Sequence, residues 1–343
     1  MVFLEEVKKY KKALDEELES CFCDTTCGYD GTINKQVADN LKSFVLNGGK
    51  RLRPIALIKS FSGLGGDKNI LRPSLCVELM HNATLVHDDI MDQDDMRRGE
   101  ETFHKRMQKS SKNKRFGEDM GILGGNILLS MALSTIQNSE FSEQSKNLAS
   151  KIFNNTYLIL NQGQIQDISF EMRKSVTEDE YLKMAEGKTS ALFEASMKIG
   201  AVFSKATNEQ LTYVEEYAKN AASAFQIRDD VMTLEEPEEV TGKKQGNDIM
   251  ENKKTLLLIK ALEFSNENQK KIIQKSLGNK NATKEEINQA IDVFKDTGAI
   301  DYIKDFCEQL VEKALENLKN VGYTKESEEF FKEFAYYLIK RRY

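Results

Sequence analysis

The chain has 343 residues with only 3 prolines and 20 glycines, and so few turn-forming residues favour a largely helical protein. It carries 49 lysines and arginines against 55 aspartates and glutamates, and the net charge of −6 argues against a general nucleic-acid-binding protein. No uninterrupted apolar run is long enough to cross a bilayer, and the charged N-terminus lacks the apolar centre of a signal peptide. We therefore expect a cytoplasmic protein without stable membrane insertion.

The first predicted element is an amphipathic helix in residues 1–20, and the cysteine-rich segment CFCDTTC (21–27) follows it. This segment has no histidine nearby and no fourth ligand for zinc. We therefore expect Cys21, Cys23 and Cys27 to be reduced and to lie in a connection between helices. Cys76 and Cys307 occur in apolar helical patterns, which predict core positions.

Two later segments have apolar residues at helical spacing. Residues 74–92 (SLCVELMHNATLVHDDIMD) and 181–203 (YLKMAEGKTSALFEASMKIGAVF) both place apolar side chains three and four residues apart. Loops are expected at about 62–69, 109–118 and 235–252, where this periodicity is lost.

Helix starts are marked by a threonine followed three residues later by a glutamate, the pattern of a capping box. It occurs at Thr177–Glu180 and Thr283–Glu286. The chain shows no alternating strand pattern, no repeat and nothing like a linker. We expect one all-α domain comprising residues 1–343.

The stretch LVHDDIMDQDDMRRG (85–99) contains five aspartates. On a helix, Asp88 and Asp92 project side by side. Two such carboxylates suit Mg²⁺, which completes its coordination with water and phosphate oxygens. A second acidic pair, Asp229 and Asp230, stands in FQIRDDVMT (225–233). Two acidic helix ends in a chain rich in nearby cations suggest one shared ligand with several negative charges.

Basic segments accompany both acidic pairs: GGKRLRP (48–54), RRG (97–99), GKTS (187–190) and GKKQGNDIMENKK (242–254). Lys50 and Arg53 are three residues apart and share a helix face, which would let a point charge and a guanidinium bind the same phosphate. His81 lies two turns before Asp88 on the same face. These residues predict binding of a phosphorylated substrate.

Six segments, in this order, resemble the trans-isoprenyl diphosphate synthases of the polyprenyl synthetase family: GGKRLRP, HDDIMDQDDMRRG, GQIQD (163–167), GKTSALF, FQIRDD and GNDIMENKKT. They span about residues 48–255. The resemblance implies an all-α isoprenoid synthase type I fold, with antiparallel helices around a deep central cavity, usually in a homodimer. It implies head-to-tail condensation of isopentenyl diphosphate with an allylic diphosphate.

The resemblance also implies residue roles. The implied ligands of Mg²⁺, with three ions in each active site, are Asp88, Asp92 and Asp229. The implied contacts to isopentenyl diphosphate are Lys50, Arg53, His81 and Arg98. The implied contacts to the allylic diphosphate are Arg97 and five residues that would also assist catalysis, Lys188, Thr189, Gln226, Lys243 and Lys253. The leaving pyrophosphate is the implied base.

The chain departs from the family pattern mainly at Thr233, where many members have the last aspartate of a second DDxxD motif. A hydroxyl is a poor Mg²⁺ ligand. Two alternatives therefore stay open: a non-catalytic regulatory subunit of a heteromeric prenyl synthase, and a class I terpene cyclase. Both are disfavoured because the named aspartates and cations are all present, including groups for a second diphosphate.

The helix that carries Asp88 would also form a wall of the product cavity. One helical turn is about 5.4 Å, on the order of one isoprene unit. Ala83 and Thr84 are small where farnesyl-forming and some geranylgeranyl-forming members of the family have an aromatic residue, and Met80 is the next candidate for a floor. We expect a product of C20 or longer, with C20 or C25 favoured. The alternative is that Ala83 merely packs against a bulky neighbour.

Overall fold

The computed structural model describes residues 2–26, 31–235 and 246–340. Helices dominate these ranges, as the composition predicts. The first seven are α1 (Val2–Thr26), α2 (Thr32–Leu46), α3 (Leu52–Gly63), α4 (Leu71–Met91), α5 (Phe103–Ser111), α6 (Lys114–Gln137) and α7 (Glu143–Glu171). The later ones are α8 (Glu178–Ala185), α9 (Ala191–Phe203), α10 (Asn208–Glu235), α11 (Asn247–Met250), α12 (Leu256–Phe264), α13 (Glu267–Ser276), α14 (Lys284–Asp296), α15 (Ala299–Val321) and α16 (Lys325–Lys340).

The chain forms two compact units. The first contains Met1–Asn155, Ala195–Leu211 and Gly322–Phe330, and the second contains Thr156–Glu194, Thr212–Val321 and Phe331–Tyr343. Four of the five boundaries fall inside α7, α9, α10 and α16, and the fifth follows Val321, the last residue of α15.

In the first unit, α4 packs closely against α6 because α6 presents glycines where the two helices meet. A Cβ atom at Gly121 would lie 2.4 Å from Ile90 Cδ1, and one at Gly125 would lie 2.1 Å from His87 Nε2. Any side chain at these positions would clash, so the glycines fix the separation of the helices. The acidic motif stands at the C-terminal end of α4.

In the second unit, a π-helical turn, Glu186–Ser190, separates α8 from α9. The segment 181–203 is helical throughout, as its apolar spacing predicts, but the π turn interrupts its α-helical hydrogen bonding. The π turn crosses α7 at backbone contact, since a Cβ atom at Gly163 would lie 2.4 Å from the backbone nitrogen of Lys188. Single π turns inside helices often occur at functional sites.

Both predicted capping boxes are confirmed. The side chain of Thr177 accepts the backbone N–H of Glu180, and the side chain of Glu180 accepts the backbone N–H of Thr177. Thr283 and Glu286 make the same reciprocal pair at the start of α14. These bonds satisfy N–H groups that have no partner within the helix.

Two loop predictions need revision. The loop expected at 109–118 is wrong, because α5 continues to Ser111 and α6 begins at Lys114. Within the loop expected at 235–252, α11 forms a short helix, and residues 236–245 lie outside the described part of the chain. A two-stranded antiparallel hairpin, β1 (Met96–Arg97) and β2 (Glu100–Glu101), was also not expected.

The cysteine predictions are partly confirmed. Cys76 and Cys307 are buried core residues, as expected. Cys21 and Cys23 lie within α1, so the expected position in a connection is wrong for both. Both are free thiols, Cys21 buried and Cys23 exposed, and Cys27 lies outside the described residues.

Among the described residues, α6 alone is long and apolar enough to span a membrane by length and composition. Of its most apolar stretch, 44% is buried within the protein. Core helices of water-soluble proteins can have the same two properties.

Candidate active site

The first acidic motif lies where α4 ends. Asp88 is in the last turn with 21% of its side chain exposed, and Asp92 is the exposed C-cap residue, whose N–H donates to the Asp88 carbonyl at 2.8 Å. The two carboxylates are thus one turn apart and reachable from solvent. The helix macrodipole adds partial negative charge at this end. A cation bound here would reduce both the repulsion between the two carboxylates and their unfavourable interaction with the helix dipole.

Asp89 has a different environment from its two neighbours. It is fully buried and paired with Arg97 Nε, and burial raises its pKa to about 7 although the arginine opposes the shift. Arg97 Nη2 also lies 3.9 Å from Asp88 and 3.6 Å from Asp94. Asp89 therefore anchors Arg97 beside the exposed carboxylates.

The β1–β2 hairpin brings Arg98 to the segment 48–54. Arg98 occupies the turn with a φ of 53° and donates from Nη1 to the carbonyl of Asn47 at 3.0 Å. A Cβ atom at Gly48 would lie 3.4 Å from Arg98 Cδ, so the arginine side chain lies against this loop. Two basic segments that are far apart in the sequence thus meet in one place.

Arg53 and His81 belong to the same electrostatic cluster as Arg98. Burial lowers the pKa of Arg53, and the charge of Arg98 adds to this shift. Burial and the charges of Arg53 and Arg98 hold the pKa of His81 well below its ordinary value, so its ring is neutral at neutral pH. Among the described residues, no acceptor reaches the buried Nε of Arg53. These features suit an anionic ligand. Exposed Lys50 lies before Arg51, the N-cap residue of α3, so the prediction that Lys50 and Arg53 share a helix face is wrong.

Arg51, which was not among the predicted site residues, organises this cluster. It is 2% exposed, is the N-cap residue of α3 and has a left-handed backbone with a φ of 54°. Its guanidinium donates to Asp15 at 2.8 Å, to Glu78 at 2.7 Å and to the carbonyl of Val45 at 2.8 Å. Arg51 therefore ties the loop to three helices, and buried Glu78 offsets part of the positive charge on Arg53 and Arg98.

The three residues proposed as a product wall differ in burial. Ala83 and Met80 are fully buried, whereas Thr84 is half-buried and donates to the carbonyl of His81 at 2.8 Å. Ala83 precedes His87 by one turn, so both are on the side of α4 that faces α6. Thr84 precedes Asp88 by one turn instead.

In the second unit, the π turn carries Lys188 and Thr189. Lys188 forms an ion pair with Asp167, the last residue of the GQIQD segment on α7. This segment belongs to the family resemblance, but Asp167 was not among the predicted site residues. The close crossing at Gly163 positions the backbone of Lys188, and Asp167 positions its ammonium group.

A hydrogen-bonded chain connects Thr189 with the second acidic motif on α10. Thr189 Oγ1 donates to Gln226 Oε1 at 2.6 Å, and Gln226 Nε2 donates to Asp230 Oδ1 at 2.9 Å. The hydroxyl of Tyr181 donates to Asp230 Oδ2 at 2.5 Å. Burial raises the pKa of Asp230 to about 7, the hydrogen bonds opposing this shift and the charges of Asp248 and Asp229 adding to it. Asp248 lies in the GNDIMENKKT segment of the family resemblance, but neither it nor Tyr181 was among the predicted site residues.

Two remaining predicted residues of this unit are partly accessible, and one cannot be placed. Asp229 is half-buried in α10, which continues to Glu235, and the side chain of Lys253 is 25% exposed and 3.5 Å from Glu251. Lys243 and the side chain of Thr233 lie outside the described residues.

The carboxylates of the first acidic motif provide only part of the oxygen ligands that Mg²⁺ requires. Within 2–26, 31–235 and 246–340, no group of three or more His, Cys, Asp or Glu side chains forms a preassembled metal site. The solvent-accessible pair Asp88 and Asp92 nevertheless fits an ion that takes one or two protein carboxylates and obtains the rest of its oxygens from water and substrate phosphates.

Comparison with known sequences places these features in context. A family model described as polyprenyl synthetase matches residues 34–294, which include both acidic motifs. The geranylgeranyl diphosphate synthase of Saccharolobus solfataricus is 38% identical over 304 residues, covering 86% of this chain and 87% of that protein. The geranylfarnesyl diphosphate synthase of Aeropyrum pernix is 34% identical over 301 residues, covering 86% and 91%.

Solved structures match over almost the full length. The geranylgeranyl pyrophosphate synthase of Corynebacterium glutamicum, complexed with isoprenyl diphosphate and magnesium, has a TM-score of 0.90 at 26% identity and covers 97% of this chain and 99% of that one. The geranylgeranyl pyrophosphate synthetase of Pyrococcus horikoshii has a TM-score of 0.86 at 31% identity, covering 99% and 98%.

Proposed function

This chain belongs to the polyprenyl synthetase family and has its all-α isoprenoid synthase fold, and from this premise we propose that it is a Mg²⁺-dependent trans-prenyltransferase. It condenses isopentenyl diphosphate head-to-tail with an allylic diphosphate to make a linear all-trans polyprenyl diphosphate of C20 or longer. The observation that carries the proposal is the cluster of Arg53, His81 and Arg98 in the same unit as the solvent-accessible carboxylates Asp88 and Asp92.

We assign the diphosphate of isopentenyl diphosphate to Lys50, Arg53, His81 and Arg98. A buried donor without an acceptor is unfavourable by about 1–3 kcal/mol, and a phosphate oxygen at Arg53 Nε would recover that energy. The neutral ring of His81 can donate one N–H without adding charge. Arg51 holds the loop and the start of α3 in place for these contacts.

Replacing Arg53 by alanine is expected to raise KM for isopentenyl diphosphate at least about 30-fold, since truncating a buried charge-paired group is unfavourable by about 2 kcal/mol or more. KM for the allylic diphosphate should stay close to that of the wild type. Steady-state kinetics with each substrate varied in turn provide the measurement. Arg173→Ala, which removes an exposed arginine paired with Glu180, is the control. Equal changes in both KM values would contradict the assignment.

We assign the allylic diphosphate to Arg97, Lys188, Thr189, Gln226, Lys243 and Lys253. The ion pairs of Arg97 with Asp89 and of Lys188 with Asp167 orient these cations before substrate binds. Three Mg²⁺ ions, held by Asp88, Asp92 and Asp229, would neutralise the charge that develops on the leaving pyrophosphate. The cations would stabilise the same charge without reorganising during the reaction. The pyrophosphate then accepts the proton that the product loses.

For product length we propose that Met80, Ala83 and Thr84 leave space for a chain of C20 or C25. Small side chains at positions 83 and 84 support a deep cavity, and the names of the relatives support the same range. Since Ala83 lies on the α6-facing side of α4, Thr84 is the more direct candidate for contact with a chain that starts at Asp88.

An aromatic residue at position 83 or 84 should shorten the product. Ala83→Phe and Thr84→Phe are therefore expected to shift the main product towards C15, with Thr84→Phe also preserving stability better, because overpacking at buried Ala83 is unfavourable by about 1–3 kcal/mol. The measurement is chromatography of the dephosphorylated products, together with a melting curve for each variant. Unchanged product length in both folded variants would rule out this wall.

We propose that the enzyme is a homodimer. On α6, Ile122 is 50% exposed and Leu123 is 51% exposed, and the exposed side chains that follow, Asn126 and Ser130, carry no charge. On α7, Leu158 is 56% exposed and Ile165 is 67% exposed, and the seven-residue spacing puts both on one helix face. Apolar surface of this extent on regular helices suits contact with a second copy of the chain.

Leu123→Glu is expected to convert the dimer into a folded monomer, because a carboxylate would be desolvated in the interface but not on a free surface. Sedimentation or light scattering measures the mass, and far-UV circular dichroism checks folding. Leu4→Glu, at a leucine of α1 that is 39% exposed, is the matched control and should stay dimeric. A dimeric Leu123→Glu protein would exclude this face.

The deciding experiment is an assay of purified protein with Mg²⁺, isopentenyl diphosphate and an allylic primer. A longer linear diphosphate is the expected product. Inactivity alone would favour a regulatory subunit, and a hydrocarbon product would favour a terpene cyclase. We further propose that residues 1–343 act as a single polyprenyl synthetase domain in the cytoplasm, without a nucleic-acid partner or stable membrane insertion. The net charge of −6 and the unit boundaries inside helices support this.

A further inference from the structure

Tyr181 on α8 lies outside every motif that pointed to the function. Its side chain is 1% exposed, and its hydroxyl donates to Asp230 Oδ2 at 2.5 Å across 49 residues of sequence. A buried phenol normally needs a hydrogen-bond partner, but the partner here is a carboxylate next to the proposed Mg²⁺ ligand Asp229.

Asp230 in turn determines the orientation of the side-chain amide of Gln226. Both oxygens of Asp230 act as acceptors, Oδ2 from the Tyr181 hydroxyl at 2.5 Å and Oδ1 from the amide NH₂ of Gln226 at 2.9 Å. The amide oxygen consequently faces Thr189 Oγ1, 2.6 Å away. A flipped amide would place two oxygens together at Asp230 and is disfavoured.

The donor and acceptor roles along these hydrogen bonds determine how the Thr189 hydroxyl can interact with a ligand. Its hydroxyl has one proton, and that proton is donated to Gln226. Thr189 Oγ1 therefore presents lone pairs, not a donor, to any further group. This polarity suits the positive charge that develops on an allylic carbon after pyrophosphate leaves, and it is set at Tyr181, the far end of the hydrogen-bonded chain.

We propose that Tyr181 is a positioning residue, which fixes Gln226 and Thr189 for the allylic substrate by holding the carboxylate of Asp230. This inference rests on the proposed function, which assigns Gln226 and Thr189 to that substrate. Tyr181 itself would touch no substrate. The proposal predicts that use of the allylic diphosphate depends on Tyr181, whereas binding of isopentenyl diphosphate does not.

The test is Tyr181→Phe, which removes only the hydroxyl. The expected result is a fall of about tenfold in kcat/KM for the allylic diphosphate, the factor that corresponds to about 1.4 kcal/mol, with KM for isopentenyl diphosphate within about twofold of the wild type. Tyr217→Phe is the matched control, because Tyr217 is equally buried and donates to the backbone carbonyl of Phe331 at 2.7 Å. It should leave both kinetic parameters unchanged.

A double-mutant cycle with Asp230→Asn tests the route of the effect. If Tyr181 acts through Asp230, the double variant should be no more impaired than Asp230→Asn alone. Additive losses would overturn the proposal. So would wild-type kinetics in Tyr181→Phe, or equal losses for both substrates accompanied by the same drop in melting temperature as in Tyr217→Phe.

The proposed prenyltransferase activity and the positioning role of Tyr181 can be contradicted independently of each other. A wild-type protein that does not elongate an allylic primer would contradict the proposed function before any variant is made. An active wild type with an unselective Tyr181→Phe would contradict only the positioning role.

Discussion

Replacing Asp88 by asparagine should reduce kcat/KM for the allylic diphosphate by about a thousandfold or more. The amide keeps the shape of the side chain but lacks the charge that holds Mg²⁺, and a loss of about 4 kcal/mol of transition-state stabilisation corresponds to this factor. Steady-state kinetics over a range of Mg²⁺ concentrations measure the effect. Added Mg²⁺ should restore little of the activity.

The thermal stability of the Asp88→Asn protein should stay unchanged or rise slightly, although its activity falls. Asp88 lies in the last turn of α4, where a negative charge is unfavourable with the helix dipole, so the Asp88→Asn protein should melt at or slightly above the wild-type temperature. Asp95→Asn is the control within the same acidic stretch, since Asp95 is exposed and paired with Lys105 at 2.7 Å. Activity of Asp88→Asn within tenfold of the wild type would remove Asp88 from the metal site.

Gly163→Ala should be the most disruptive conservative substitution in the second unit. Its new methyl group would lie 2.4 Å from the backbone nitrogen of Lys188 and 2.7 Å from the carbonyl carbon of Gly187, and neither atom can rotate away. We expect a loss of about 3 kcal/mol in the free energy of unfolding, because overpacking forces backbone shifts. Activity should fall as well, since the shift displaces the π turn that carries Lys188 and Thr189.

Thermal or urea unfolding, with kinetics measured well below the melting temperature, separates these two effects. Gln162→Ala is the matched control, because Gln162 is exposed on the same helix and precedes Gly163 directly. It should leave both stability and activity near the wild-type values. Wild-type behaviour of Gly163→Ala would show that α7 can move away from the π turn without loss.

Much of the first cluster could be predicted from sequence because its geometry is local. Asp88 and Asp92 share a face as a consequence of helical spacing, and the order of the basic segments indicated Arg97 and Arg98. The sequence indicated Arg53 but gave no role to Arg51, although both stand in one short basic segment. The left-handed backbone and the buried partners of Arg51 identify it as the residue that anchors this segment.

The second cluster was less predictable because it depends on contacts between distant segments. The apolar spacing of 181–203 is compatible with one uninterrupted helix, and no residue in it marks the π turn. The bond from Tyr181 to Asp230 connects α8 with α10, and helical periodicity gives only the burial of Tyr181, not its partner. Asp167 stood in a recognised segment, but its pairing with Lys188 required the crossing of α7.

The π turn has an evolutionary consequence. A π turn holds one residue more than an α-helical turn, so deleting any single residue of Glu186–Ser190 would restore ordinary helical register there. Because the π turn takes up its extra residue locally, the side chains of α9 would keep their faces after such a deletion. Homologous chains can therefore differ by one residue in this turn without exchanging the outward and inward faces of α9, and the change would be confined to the turn that carries Lys188 and Thr189.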